Sequence, residues 1–184
     1  MTHRHADHVG WNTVWDGDRW APTFPNARHH PPKTDYEFFK GEVEAGRPAD
    51  GGSFLDSVAP IVEAGVASFI TNQTEVADCL RVAPATGHMP GQLNYWIESG
   101  GERAILSADI MHHVMQIRMP DWNTGFCILP DEARRTRHAF LAEAARTGAL
   151  VMPCHFAPPH TGFVRRQGEG YTFEPAPSGY GQRP

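Results

Sequence analysis

Short runs of alternating apolar and polar residues dominate the middle of the chain. "VASFIT" (66–71), "CLRVAPA" (79–85), "QLNYWIES" (92–99) and "RAILSAD" (103–109) each show period-two alternation or an apolar centre bounded by turn residues, which predicts strands. The period then changes. "DEARRTRHAFLAEAARTG" (131–148) reads as a helix, with Asp131 as cap after Pro130, a buried stripe of Phe140, Leu141 and Ala144, and Gly148 as its stop. Two further strand regions follow, "ALVMPCHF" (149–156) and the paired runs in "GFVRRQGEGYTFEP" (162–175). Earlier, "KTDYEFFKGE" (33–42) and "DSVAPIVEAG" (56–65) read as short helices, the second capped by Asp56 or Ser57 and closed by Gly65. Between them, "GEVEAGRPADGG" (41–52) reads as a surface excursion. The pattern is mixed α/β, without internal repeats, and 184 residues suit a single domain spanning 1–184.

Composition narrows the function. A net charge of −5 argues against a nucleic-acid partner, which a basic stripe would recognise. Arg134, Arg135 and Arg137 are the nearest approach to such a stripe, and they read as the solvated face of the long helix. No apolar run is long enough for a membrane span. Cys79, Cys127 and Cys154 are scattered and odd in number, so reduced thiols and a cytoplasmic setting are expected. Histidine is the outlier, at eleven residues.

Those histidines are not spread evenly. The chain opens with H-x-H-x-D-H, which places His3, His5, Asp7 and His8 in one short loop. Alternate residues of an extended segment share a side, so His3 and His5 can grip one ion while Asp7 and His8 turn to a second. Imidazole and carboxylate without thiolate suit zinc, manganese, iron or cobalt. Further along, His88 lies between Gly87 and Gly91, in a turn where the backbone can come close to an ion. Asp109 ends one strand and His155 another, at positions where a buried strand would stay apolar.

These residues resemble the metallo-β-lactamase-fold hydrolases. The intervals from His5 to His88, Asp109 and His155, with "TFPNARHH" (23–30) and the run from Asp109 to Gln116, look most like the branch of methyl parathion hydrolase and the acyl-homoserine lactonases. The resemblance implies two divalent cations, zinc foremost. One is held by His3, His5 and His88, the other by Asp7, His8 and His155, with Asp109 bridging them. It implies hydrolysis of a lactone, ester or phosphotriester by a hydroxide bridging the metals, available at neutral pH. Asp7 is the expected proton carrier to the leaving oxygen. Some lactonases of this group carry a tyrosine three residues after the bridging aspartate, whereas this chain has His112, which can still donate to a carbonyl or phosphoryl oxygen. His112 and His113 are candidates either for the pocket or for orienting a ligand. Trp11, Phe38, Phe39 and Phe54 are candidates for an apolar pocket that takes uncharged substrates.

In the family the H-x-H-x-D-H loop follows the last strand of a first half-domain. The expectation is therefore an αββα sandwich of which this chain supplies mainly the C-terminal half, with Met1 not marking the start of the ancestral domain. The inner sides of "QLNYWIES", "RAILSAD" and "ALVMPCHF" should then be partly uncovered, and a homodimer is one way to cover them. The competing expectation is a weak or inactive metal-binding fragment that needs a partner.

Overall fold

The structure is a computed structural model that describes residues 1–47, 49–71 and 75–177. These fall into two compact units, one of residues 1–74 with 90–92, the other of residues 75–89 with 93 onward.

The first unit is mostly short helices. A turn of helix α1 (Ala6–Val9) runs into the hairpin β1 (Thr13–Trp15) and β2 (Trp20–Pro22), followed by α2 (Lys33–Glu44) and α3 (Ala59–Glu63). Helix α2 runs two residues beyond the expected helix, into the expected loop, and Pro48 of that loop lies outside the described residues. The expected caps of α3 are not used. Pro60 has no N–H to donate back to Asp56, so the chain enters the helix through a wider π turn, Phe54–Val58, closed by the Ala59 N–H on the Phe54 carbonyl. "VASFIT" is not a strand either. Ala67 and Ile70 make isolated parallel bridges with His29 and Pro32, and the prolines at 31 and 32 lack the N–H groups a longer ladder would need.

The second unit holds a seven-stranded sheet in chain order: β3 (Glu75–Ala77), β4 (Leu80–Pro84), β5 (Leu93–Ser99), β6 (Glu102–Ala108), β7 (Leu150–Pro153), β8 (Gly162–Gln167) and β9 (Gly170–Pro175). All neighbours are antiparallel except β6 and β7, which run parallel because α4 (Met115–Arg118) and α5 (Pro130–Thr147) carry the chain back. Pro130 opens α5 with Leu129 as cap, so Asp131 lies in the first turn rather than capping; Gly148 ends it in the left-handed conformation.

The core lies between α5 and one face of this sheet. Trp96, Ile105, Val151 and Val164 project from the strands against Phe140, Leu141 and Ala144 of the helix. Residue 162 is glycine because a Cβ there would fall 2.4 Å from the Glu174 carbonyl oxygen and 2.6 Å from the Phe173 ring. On the opposite face, Leu80, Ile97, Ala104, Leu150 and Phe163 form one cross-strand row, and all are half-buried. Among the described residues, no helix is long and apolar enough to cross a membrane.

Candidate metal centre

Two parallel strands deliver the heart of the site. Ala108 pairs with Pro153 at the carboxyl ends of β6 and β7, so Asp109 and His155 leave the sheet side by side. A register shift falls there, and Ala108 takes a φ of 47°, a left-handed conformation that turns the chain as it passes into Asp109. Asp109 is buried, and three imidazoles converge on its Oδ2: His155 Nε2 at 3.1 Å, His112 Nε2 at 3.2 Å and His88 Nε2 at 3.4 Å. The His112 and His155 rings are stacked, 6° from parallel. Asp109, His112 and His155 each offer a ligand atom, all within 4.8 Å of one another.

Packing fixes the place of His88. Gly87, at φ 128°, lies so near the start of α5 that a Cβ would fall 2.3 Å from the Ala133 nitrogen. The Gly87 and His88 carbonyls accept the N–H groups of Leu129 and Ile128 at 2.9 and 3.0 Å, which ties the turn to the chain entering α5. Cys127 Sγ lies 3.8 Å from His88 Nδ1, which leaves Nε2 to face Asp109.

The opening loop makes a second cluster in the first unit. The His3 ring stands edge-on to His5 at 5.1 Å and tilted against His8 at 4.2 Å. Asp7 Oδ2 lies 3.3 Å from His8 Nε2. The extended backbone sends Arg4 the other way, where its guanidinium stacks 3.6 Å over Phe39. Burial lowers the Arg4 pKa to about 10. Thr2 Oγ1 lies 3.2 Å from His3 Nδ1, so Nε2 is the nitrogen that ligation would use.

Nitrogen and carboxylate donors without thiolate, three imidazoles turned on one oxygen of a buried carboxylate, are the donor chemistry of a divalent zinc, manganese, iron or cobalt site. The residues fit the metals that the resemblance implies.

The sequence model of the metallo-beta-lactamase superfamily matches residues 1–155, which include all of these residues. The chain belongs to the metallo-β-lactamase superfamily.

Solved structures agree with that fold. The hydrolase AbOPH, in the beta lactamase superfamily, superposes with a TM-score of 0.83 at 23% identity over 96% of this chain. AidC, a dizinc quorum-quenching lactonase, gives 0.79 at 24% over 96% of the chain. A probable metal-dependent hydrolase from Staphylococcus aureus gives 0.75 at 19%, again over 96%. The present chain spans 62%, 63% and 62% of the length of those three. No curated protein matches the sequence.

The remaining candidates of this metallo-β-lactamase chain scatter. Trp11 is exposed and stacks on Phe24 at 6.2 Å, while Phe38 is half-buried against Phe39. Phe54 is buried in the first unit's core, with Tyr36 at 5.4 Å and the Arg4 guanidinium 5.0 Å above its ring. His113 is exposed and accepts the Met115 N–H at 3.1 Å.

Some residues that shape the site carry no motif. Arg137 does not lie on the solvated helix face; it is 1% exposed and bonds into the loop that follows Asp109. Its signal was spacing, because Ala133, Arg137, Phe140, Leu141 and Ala144 share one helical stripe. Gln116 is buried beside the same loop, and Phe126 is 70% exposed with its ring 6.4 Å from His112.

Proposed function

We propose that the chain is a metal-dependent hydrolase of lactones, esters or phosphotriesters, in the branch of methyl parathion hydrolase and the acyl-homoserine lactonases. The convergence of three imidazole nitrogens on the buried Asp109 carboxylate carries this reading. In this proposal His3, His5 and His88 hold one cation, Asp7, His8 and His155 a second, and Asp109 both. Bound divalent ions of this kind lower the pKa of water and polarise an electrophilic oxygen.

The chain's own residues supply the rest. Asp109, held at the end of β6, fixes the ligand cluster on a rigid sheet. The His112 ring, part-exposed beside that carboxylate, donates a hydrogen bond to the substrate oxygen on which charge develops. Asp7, with its side chain 58% exposed, accepts the proton released on attack and passes it to the leaving oxygen. Apolar surface at the exposed Phe126 beside His112 favours uncharged substrates. AidC, a quorum-quenching lactonase, and AbOPH, a hydrolase, share the fold and support this choice of chemistry.

The test is a panel of γ-lactones, aryl esters and aryl phosphotriesters, assayed before and after chelation. Turnover that disappears with chelator and returns with zinc or cobalt is expected. Turnover indifferent to chelation, or none on any member after metal is restored, would refute the proposal.

A further inference from the structure

The loop between Asp109 and α5 carries His112, yet outside the single turn of α4 it has little regular structure to hold it. Two buried side chains hold it instead. Gln116, 4% exposed, turns its Oε1 back on the loop, where it accepts the His112 N–H at 2.6 Å and the His113 N–H at 3.1 Å. Its Nε2 donates to the Trp122 carbonyl at 2.8 Å. Arg137 reaches the same loop from α5. Its Nε donates to the Ile110 carbonyl at 2.9 Å, its Nη1 to the Pro120 and Trp122 carbonyls at 2.5 and 3.0 Å, and its Nη2 to Asn123 Oδ1 at 3.1 Å.

We infer that Gln116 and Arg137 form a clasp that positions Asp109 and His112 for the reaction, a role resting on the hydrolase reading above. The two meet at the Trp122 carbonyl, which accepts from both. Arg137 grips the first residue after Asp109 and the far end of the loop at once, from a long helix packed on the sheet. A guanidinium stays charged, and charge-assisted bonds to carbonyls are stronger than neutral ones, so this end is firm. Gln116 works closer in. By fixing the peptide N–H of His112 it fixes the Cα from which the ring is aimed at Asp109 Oδ2. The ring itself offers no second anchor, since its Nδ1 is buried and lacks a hydrogen-bond partner. The aim of the imidazole is thus set through its backbone, and Gln116 is the residue that sets it.

Leucine at 116 keeps the volume and removes every one of these bonds. Glutamate keeps the acceptor for both N–H groups, while its second oxygen faces the Trp122 carbonyl instead of donating to it. Misplacing a reacting group by about 1 Å costs on the order of 100-fold in rate. For Gln116→Leu the expected result is a 10- to 100-fold fall in kcat on an aryl ester. KM and zinc content should stay near wild type, and amide exchange at His112 and His113 should rise about tenfold or more. Gln116→Glu should restore the protection of both amides and most of kcat. Arg137→Lys, which keeps the charge but loses the fork, should speed exchange along 110–123.

Unchanged exchange at His112 and His113 in Gln116→Leu would overturn the clasp, whatever the activity. So would an equal loss in the leucine and glutamate variants, or a loss explained by missing zinc. A wild-type chain without metal-dependent hydrolysis would refute the proposed reaction, whereas faster exchange in the leucine variant would still support the clasp.

Discussion

Replacing Gly87 with alanine probes how the fold places His88. Two penalties add. At φ 128° the backbone is in a region that L residues avoid, which costs about 1–3 kcal/mol. The new Cβ would also fall 2.3 Å from the nitrogen and 2.4 Å from the Cα of Ala133. Those are backbone atoms in the first turn of an 18-residue helix that packs on the sheet, so no side chain can swing aside. Forcing the turn and the helix apart by even 1 Å costs roughly another 1–3 kcal/mol, as overpacked cores do. The sum, about 2–6 kcal/mol, is a large share of a domain's usual net stability of roughly 5–15 kcal/mol. The same shift carries His88 away from Asp109. Equilibrium urea unfolding of the metal-free chain should show the loss, and zinc competition with a chelator should show weaker binding. A stability within about 1 kcal/mol of wild type would mean that the turn does not press on α5, and would remove the reason given for the place of His88.

Other consequences are direct. Burial raises the pKa of Asp35, which accepts the Gly91 N–H at 2.5 Å, to about 6. A carboxyl whose folded pKa lies above its unfolded value stabilises fully below the unfolded value and loses that contribution as pH rises through the folded one. Between about pH 4 and 6 the wild type should therefore lose up to roughly 3 kcal/mol relative to Asp35→Asn, and a flat difference in urea titrations would contradict it. Ala108→Gly should raise stability by roughly 0.5–1 kcal/mol, because left-handed strain of about 1–2 kcal/mol outweighs glycine's added entropy; a loss above about 1 kcal/mol in urea melts would contradict the strain. Asp109→Ala should lower the occupancy of both cations by elemental analysis, whereas His155→Ala should chiefly empty one; equal effects would contradict the bridging role.

Much of the second unit was legible because its strands alternate cleanly and its long helix has a plain stripe. Asp109 and His155 were legible as polar residues at strand ends, and the opening loop by its density of histidine. What escaped depended on partners distant in sequence. "VASFIT" alternates like a strand, but the segment it meets contains Pro31 and Pro32, which cannot sustain a ladder. Asp131 looked like a cap until Pro130 took the first helical position. Arg137 looked like solvated charge because charge usually is; the carbonyls at Ile110, Pro120 and Trp122 and the Asn123 side chain make its burial tolerable. Gln116 has no motif to find, since its role is written in backbone N–H groups.

Hydrolysis measured during titration of the metal-free chain with zinc tests the central claim most directly. Aryl-ester turnover should be absent without metal, rise as zinc is added, and level off at two equivalents per chain. A chain that reaches full turnover without metal, or shows none at any zinc ratio while still folded, would contradict a zinc-dependent hydrolase built on His3, His5, Asp7, His8, His88, Asp109 and His155.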